Sequence, residues 1–228
     1  MAEHLHDGHR KRMMRRFMAT KLRGFQPHEV LEMLLYYAIP RKDTNPIAHR
    51  LLDRFGSVSG VLAATPEALK SVEGVSDGVV TMLAFFRELG VYVTGEQAVG
   101  MKMCSAADAC GYFEALYKLE HNEVVRAVFL DDRLCLKSSV VISEGHPSAS
   151  QFLTRRVAEF AFAEGSNALI LAHNHPNNSS AASAEDIAAT QHLSAMLQSC
   201  GIQLIDHVIV GRDGATSLRE TGGFFGTE

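Results

Sequence analysis

The chain has 228 residues, 46% of them hydrophobic, with 22 basic and 26 acidic side chains and a formal charge of −4. That is length for one large domain or two small ones, and the charge excludes a protein that coats nucleic acid over its whole surface. The first 100 residues carry 13 basic and 11 acidic side chains and the remainder 9 and 15, so the halves differ in sign and suit different partners.

The opening segment MAEHLHDGHRKRMMRRF places charge where a signal sequence needs an apolar core. No apolar run approaches the roughly 18 residues that span a bilayer, and a cytoplasmic protein without a membrane partner is expected. From residue 8 to 95 the pattern is helical, in the runs HRKRMMRRFMATKL, PHEVLEMLLYYAI, NPIAHRLLDRFG, TPEALKSV and GVVTMLAFFRELGVYV. Pro27, Pro46 and the Thr65-Pro66-Glu67 cap mark helix starts, and Gly24 and Gly56 mark ends. Arg10, Lys11, Arg12, Arg15 and Arg16 make one dense basic turn, which reads as a solvated helix face or a phosphate contact. His4, His6 and His9 are assigned no function.

Residues 1–95 are therefore expected to form an all-helical domain, 96–105 a linker, and 106–228 a second domain. The latter opens with the helix AADACGYFEALYKL and continues through β-branched runs, EVVRAVFLDD, LCLKSSVVISEG, NALILAHNH and IQLIDHVIVG. Helical stretches at about 151–165 and 183–200 separate them, which predicts an α/β fold with a mixed sheet. Cys104, Cys110, Cys135 and Cys200 show no C-x-x-C spacing, as reduced thiols would.

Chemistry concentrates in ILAHNHPNNSSAASAEDI, residues 170–187. Residues i and i+2 of a strand share a face, so His173 and His175 converge at the end of the apolar run. Pro176 stops the strand, a polar loop turns the chain, and Ser183 begins a helix whose first turn holds Asp186. Two imidazoles and one carboxylate form a typical three-ligand zinc set that leaves a position for water. The competing reading makes the histidines loop residues and Ser183 with Asp186 a helix cap.

The spacing H-x-H-x7-S-x2-D resembles the core of the JAMM (MPN) metallohydrolases. LAHNHP, the Ser183-to-Asp186 pair and the strand LIDHVIVG resemble more closely the RadC family. At the front, DGHRKRMMRRF, HEVLEMLLYYAIPRKDTNPIAHRLLDRFGS and LKSVEGVSDG resemble that family's helical domain with its helix-hairpin-helix element. The resemblance implies a JAMM-like, cytidine deaminase-like α-β-α domain after an all-helical one. It implies one zinc per chain held by His173, His175 and Asp186, with Ser183 stabilising the developing oxyanion. Hydrolysis of an amide or isopeptide bond in a peptide or protein substrate would follow, with a DNA-associated role for the helical domain.

JAMM enzymes carry protons on a glutamate upstream of the histidines. RadC-like sequences have a Pro-Arg-Glu run before the histidine strand, where this chain has Thr154, Arg155 and Arg156. Glu144, ending SSVVISEG, is the expected replacement if its strand neighbours the histidine strand, with Glu159 behind it. His207, in IDHVIV, is expected to be a hydrogen-bonded core residue outside the ligand set. In the hairpin-like turn, Ser76 stands where glycine is usual and Asp77 adds negative charge. Two other readings stay open: a catalytically weak or inactive zinc-binding DNA-repair accessory or nucleic-acid-binding protein, and a metal-dependent nuclease.

Overall fold

A computed structural model describes residues 2–120, 122–145 and 150–222, with side chains for 8–120, 122–145 and 154–222. Two compact units divide between Gly90 and Val91. The first contains α1 (Ala2–Thr20), α2 (Pro27–Ala38), α3 (Asn45–Phe55), α4 (Val58–Ala63), α5 (Pro66–Lys70) and the start of α6 (Asp77–Ala98). Pro27 opens α2, Thr65 caps α5 by accepting from the Ala68 amide at 3.3 Å, and Gly56 ends α3 at φ 77°. Leu31, Leu35, Leu51, Val61 and Leu83 fill the core. Glu32, 2% exposed, accepts from His9 Nε2 at 3.0 Å, Tyr36 at 2.9 Å and Asn45 at 3.2 Å, tying three helices through one carboxylate.

Two of the basic residues of α1 serve the fold. Arg10 donates to the carbonyls of Ile39, Pro40 and Lys42, which close the end of α2. Arg16 pairs with Glu29 at 2.7 Å and donates to Gly24 O at 2.6 Å. In the hairpin-like turn, Gly74 has φ 93° and lies so close to Ile47 that a Cβ would sit 2.9 Å from it. Asp77, at the start of α6, pairs with Lys70 at 2.7 Å, so a carboxylate occupies the helix end that a phosphate would need. The side chains of His4 and His6 lie outside the described residues.

α6 runs unbroken to Ala98, through the end of the expected helical domain and into the expected linker. It is also long and apolar enough to cross a membrane by length and composition, with a mean hydropathy of 1.2 over an 18-residue window. Arg87 and Glu88 stand in its middle and interrupt the apolar run. Gly100, Met101 and Met103 then make backbone bonds to Leu134 and Leu136, so these residues are tied to the second unit.

The second unit continues with α7 (Ala106–Tyr117), β1 (Val124–Leu130), β2 (Leu136–Glu144), α8 (Ser150–Glu164), β3 (Ala168–Asn174), α9 (Ala184–Ser199), β4 (Gln203–Gly211) and β5 (Gly214–Ser217). The sheet order is β2-β1-β3-β4-β5, with β3 and β4 parallel and the other pairs antiparallel. Alternate residues pack on opposite faces. Val124, Val128, Ile170, Ala172 and Val208 meet Phe113 and Tyr117 of α7. Val125, Phe129, Leu171 and Ile209 meet Val157 of α8 and Leu193 of α9. Covered on both faces, β1 is buried along its whole length. The result is the expected α-β-α layering behind a helical front end. β5 has no hydrophobic signal in its four residues and exists by pairing with β4. All four cysteines are free.

Candidate metal centre

The apolar run of β3 delivers its last residues to the end of the sheet. His173 pairs in register with Val125 of β1 and Ile209 of β4, and is buried on the face covered by α9. One residue past the strand, His175 still donates its backbone N–H to Val210 O at 2.7 Å. That bond keeps the two-residue period, so both rings turn to one side. Ser183 caps α9: its Oγ accepts from the Asp186 amide at 3.1 Å, while Asp186 Oδ2 accepts from the Ser183 amide at 2.8 Å and hydroxyl at 2.6 Å. The carboxylate is thereby aimed back at the rings.

The separations are 3.0 Å from His173 Nε2 to His175 Nε2, 3.1 Å from His173 Nε2 to Asp186 Oδ1, and 3.7 Å from His175 Nε2 to Asp186 Oδ2. Burial works to raise the pKa of Asp186, but the adjoining His173 ring and the hydrogen bonds from the side chain and amide of Ser183 outweigh it and hold the group well below the usual carboxylate range. His175 Nδ1 lies 3.0 Å from the Ser179 carbonyl, which only accepts. Nδ1 therefore carries the proton and Nε2 presents a lone pair to the site. Bonds of about 2.0–2.1 Å in a tetrahedral array put neighbouring donors about 3.3 Å apart, within the observed spread. Two imidazole nitrogens and one carboxylate oxygen are the donor types zinc takes, so the residues fit the ion.

His173 Nδ1 faces His207 Nε2 at 2.8 Å, and His207 Nδ1 faces Thr190 Oγ1 at 2.5 Å. Burial first, then the nearby His173, lowers the pKa of His207 well below the usual histidine value. His207 is a buried, hydrogen-bonded strand residue, as the sequence suggested, but one that touches a candidate ligand.

Ser183 is placed as the partner of Asp186, with its hydroxyl proton engaged by that carboxylate. The structure does not bring Glu144 to the histidines. β1 lies between β2 and β3, and Glu144 is exposed and pairs with Val124, whose side chain faces α7. Glu159 pairs with Arg155 at 2.8 Å on the exposed side of α8. The acidic residue that shares a cavity with the histidines is Glu123, which sequence reasoning missed. It precedes β1 by one residue, shares the face of Val125, and lines a cavity of about 70 Å³ with His173, Asp186 and Thr190.

Asn174, between the two histidines, holds Glu123 in place. Its side chain accepts from the Val124 amide at 2.8 Å and donates to the Asn122 carbonyl at 2.8 Å, gripping the backbone on both sides of Glu123. On the α7 side an open groove of about 430 Å³ reaches His175, with Glu114, Lys118 and Arg212 along it.

Residues 103–223 match the family described as RadC-like JAB domain. UPF0758 protein SPO0054 of Ruegeria pomeroyi is 31% identical, over 97% of this chain and 99% of that protein. UPF0758 protein FN0909 of Fusobacterium nucleatum is 28% identical over 97% and 99%, and a UPF0758 protein of Rhodobacter capsulatus is 31% identical over 91% and 97%. With its helical front end and the JAB-like sheet behind it, the chain belongs to the RadC family.

Proposed function

We propose that this protein is a zinc-dependent hydrolase of the JAMM type that cleaves a peptide or isopeptide bond, with Glu123 as the proton carrier. The observation that carries the reading is the convergence of His173, His175 and Asp186, whose ligand atoms all lie within 4.8 Å of one another, beside a cavity that Glu123 lines. Zinc bound there supplies a Lewis acid and lowers the pKa of its water to about 7.

The chain's own groups do the rest. Asp186, ionised and fixed by Ser183, and the two imidazoles would hold the ion. Glu123 takes the proton of the attacking water and returns it to the departing amine, a role typically worth about 10²–10⁴ in rate. Val125 and Leu171 line the same small cavity and limit water there. The groove on the α7 side is large enough for an extended peptide segment beside His175. Ser183 acts through Asp186, since its hydroxyl proton is already engaged.

The Asp77–Lys70 pair argues against a phosphate contact at the start of α6, and Arg10 and Arg16 serve the fold; the hydrolase reading does not draw on DNA binding by the helical unit. The test is hydrolysis of a library of peptides and isopeptide-linked peptides by the zinc-loaded chain. Activity is expected to disappear in Glu123→Gln while zinc stays bound. Full activity in that variant would sink the assignment of Glu123, and no activity in the zinc-loaded wild type on any amide would sink the hydrolase.

A further inference from the structure

We propose that Thr190 and His207 form a positioning relay that holds His173 in the one tautomer leaving Nε2 free for the metal, anchored on the main chain of Asp186. This rests on the zinc reading above and adds two residues to it. The relay runs from Asp186 O to Thr190 Oγ1 at 2.6 Å, to His207 Nδ1 at 2.5 Å, and from His207 Nε2 to His173 Nδ1 at 2.8 Å. It therefore joins two of the three ligands by a path that avoids the ion.

Its proton order follows from its anchor. A carbonyl oxygen only accepts, so Thr190, with one hydroxyl proton, gives that proton to Asp186 O. Its oxygen then accepts, and the donor is His207 Nδ1–H. Buried, with Thr190 on one ring nitrogen and His173 on the other, His207 carries its proton at Nδ1 and offers a lone pair at Nε2. His173 must fill that acceptor with its own Nδ1–H. Its Nε2 is then the nitrogen left for the metal, facing His175 and Asp186. Reversing any member would set two lone pairs or two protons against each other in a buried chain, at about 1–3 kcal/mol for each group left unsatisfied.

The elements make the relay possible. Thr190 stands one helical turn after Asp186, so its hydroxyl reaches back to the carbonyl four residues earlier. His207 pairs with Leu171 in the parallel β3–β4 register and shares the face of His173 two residues on. His175 needs no such relay, because the Ser179 carbonyl sets its tautomer directly. The two ligand histidines thus reach the same tautomer from two different carbonyl anchors.

The test uses the full chain with zinc as the probe, measured by competition with a chromogenic chelator, and nitrogen-15 spectra of the histidine rings in zinc-free wild type. Thr190→Val and His207→Phe are expected to weaken zinc binding about 10–100-fold, the usual cost of losing such a partner. Thr190→Ser is expected to restore wild-type affinity, and His207→Gln, which can both accept and donate, to retain more than His207→Phe. The spectra should show His207 and His173 both protonated at Nδ1. A proton on His207 Nε2, or unchanged zinc affinity in Thr190→Val, would overturn the relay. Should the wild type take up no zinc while the spectra show the assigned tautomers, the relay stands and the proposed function fails.

Discussion

Replacing Gly211 with alanine isolates the loop that sets one ligand. At Gly211, the last residue of β4, an added Cβ would lie 2.1 Å from Ser180 N and 2.3 Å from Ser179 C, against 3.4 Å for ordinary contact. Both are backbone atoms, so no side chain can swing aside, and the Ser179–Ser180 peptide must retreat by more than about 1 Å to reach ordinary packing distance. The Ser180 amide now donates to Asp213 Oδ1 at 2.7 Å across this glycine, and the Ser179 carbonyl accepts from His175 Nδ1 at 3.0 Å. A shift of that size takes the latter beyond hydrogen-bond reach. Overpacking of this kind costs about 1–3 kcal/mol of stability, and loss of the histidine's partner about 10–100-fold in metal affinity. Urea unfolding and chelator competition read the two effects separately. Gly95→Ala is the control: nothing lies within 4 Å of its new methyl in α6, and zinc affinity should not change. Wild-type affinity in Gly211→Ala would refute the argument that the loop orients His175.

Three further outcomes are expected. Glu123→Gln should keep zinc and lose hydrolysis by at least about 100-fold, whereas Glu144→Gln, on the exposed far strand, should match wild type; equal effects would reject the face assignment. Asn174→Ala should lower turnover more than zinc affinity, because it frees the backbone around Glu123 without touching a ligand atom; an effect on zinc affinity alone would contradict that role. The exposed Asp213 is held below the usual carboxylate pKa, chiefly by the hydrogen bond that it accepts from the Ser180 amide. A depressed carboxylate stabilises above its unfolded pKa of about 3.9, and that stability is lost as pH falls through the lower folded value. Wild-type stability should therefore fall more steeply than that of Asp213→Asn as pH drops through that window, with the variant less stable above it and the two converging below it; parallel curves would remove Asp213 from the account.

The ligand cluster was legible because it is local. His173, His175 and Asp186 lie within one strand, one loop and one helical turn, where strand period and capping chemistry fix direction. The same chemistry explains Ser183, whose position signals a cap as much as a catalytic hydroxyl. Glu123 was not legible because it lies 50 residues before His173, and only the β1–β3 register brings it to the site. Glu144 looked suitable on the premise that its strand neighbours the histidine strand, and the hairpin places β1 between them. β5 and the continuation of α6 were hidden for similar reasons. A four-residue strand is made by its partner, and a helix with a charged pair in its middle does not read as one apolar run.

The central claim is that three proton-free donors on β3 and α9 hold one zinc ion. Elemental analysis of the purified full chain after zinc loading and dialysis tests it most directly. The account predicts about one zinc per chain, falling to background in His173→Ala, His175→Ala and Asp186→Ala variants that remain folded. Wild-type protein without zinc, or undiminished zinc in those variants, would contradict it.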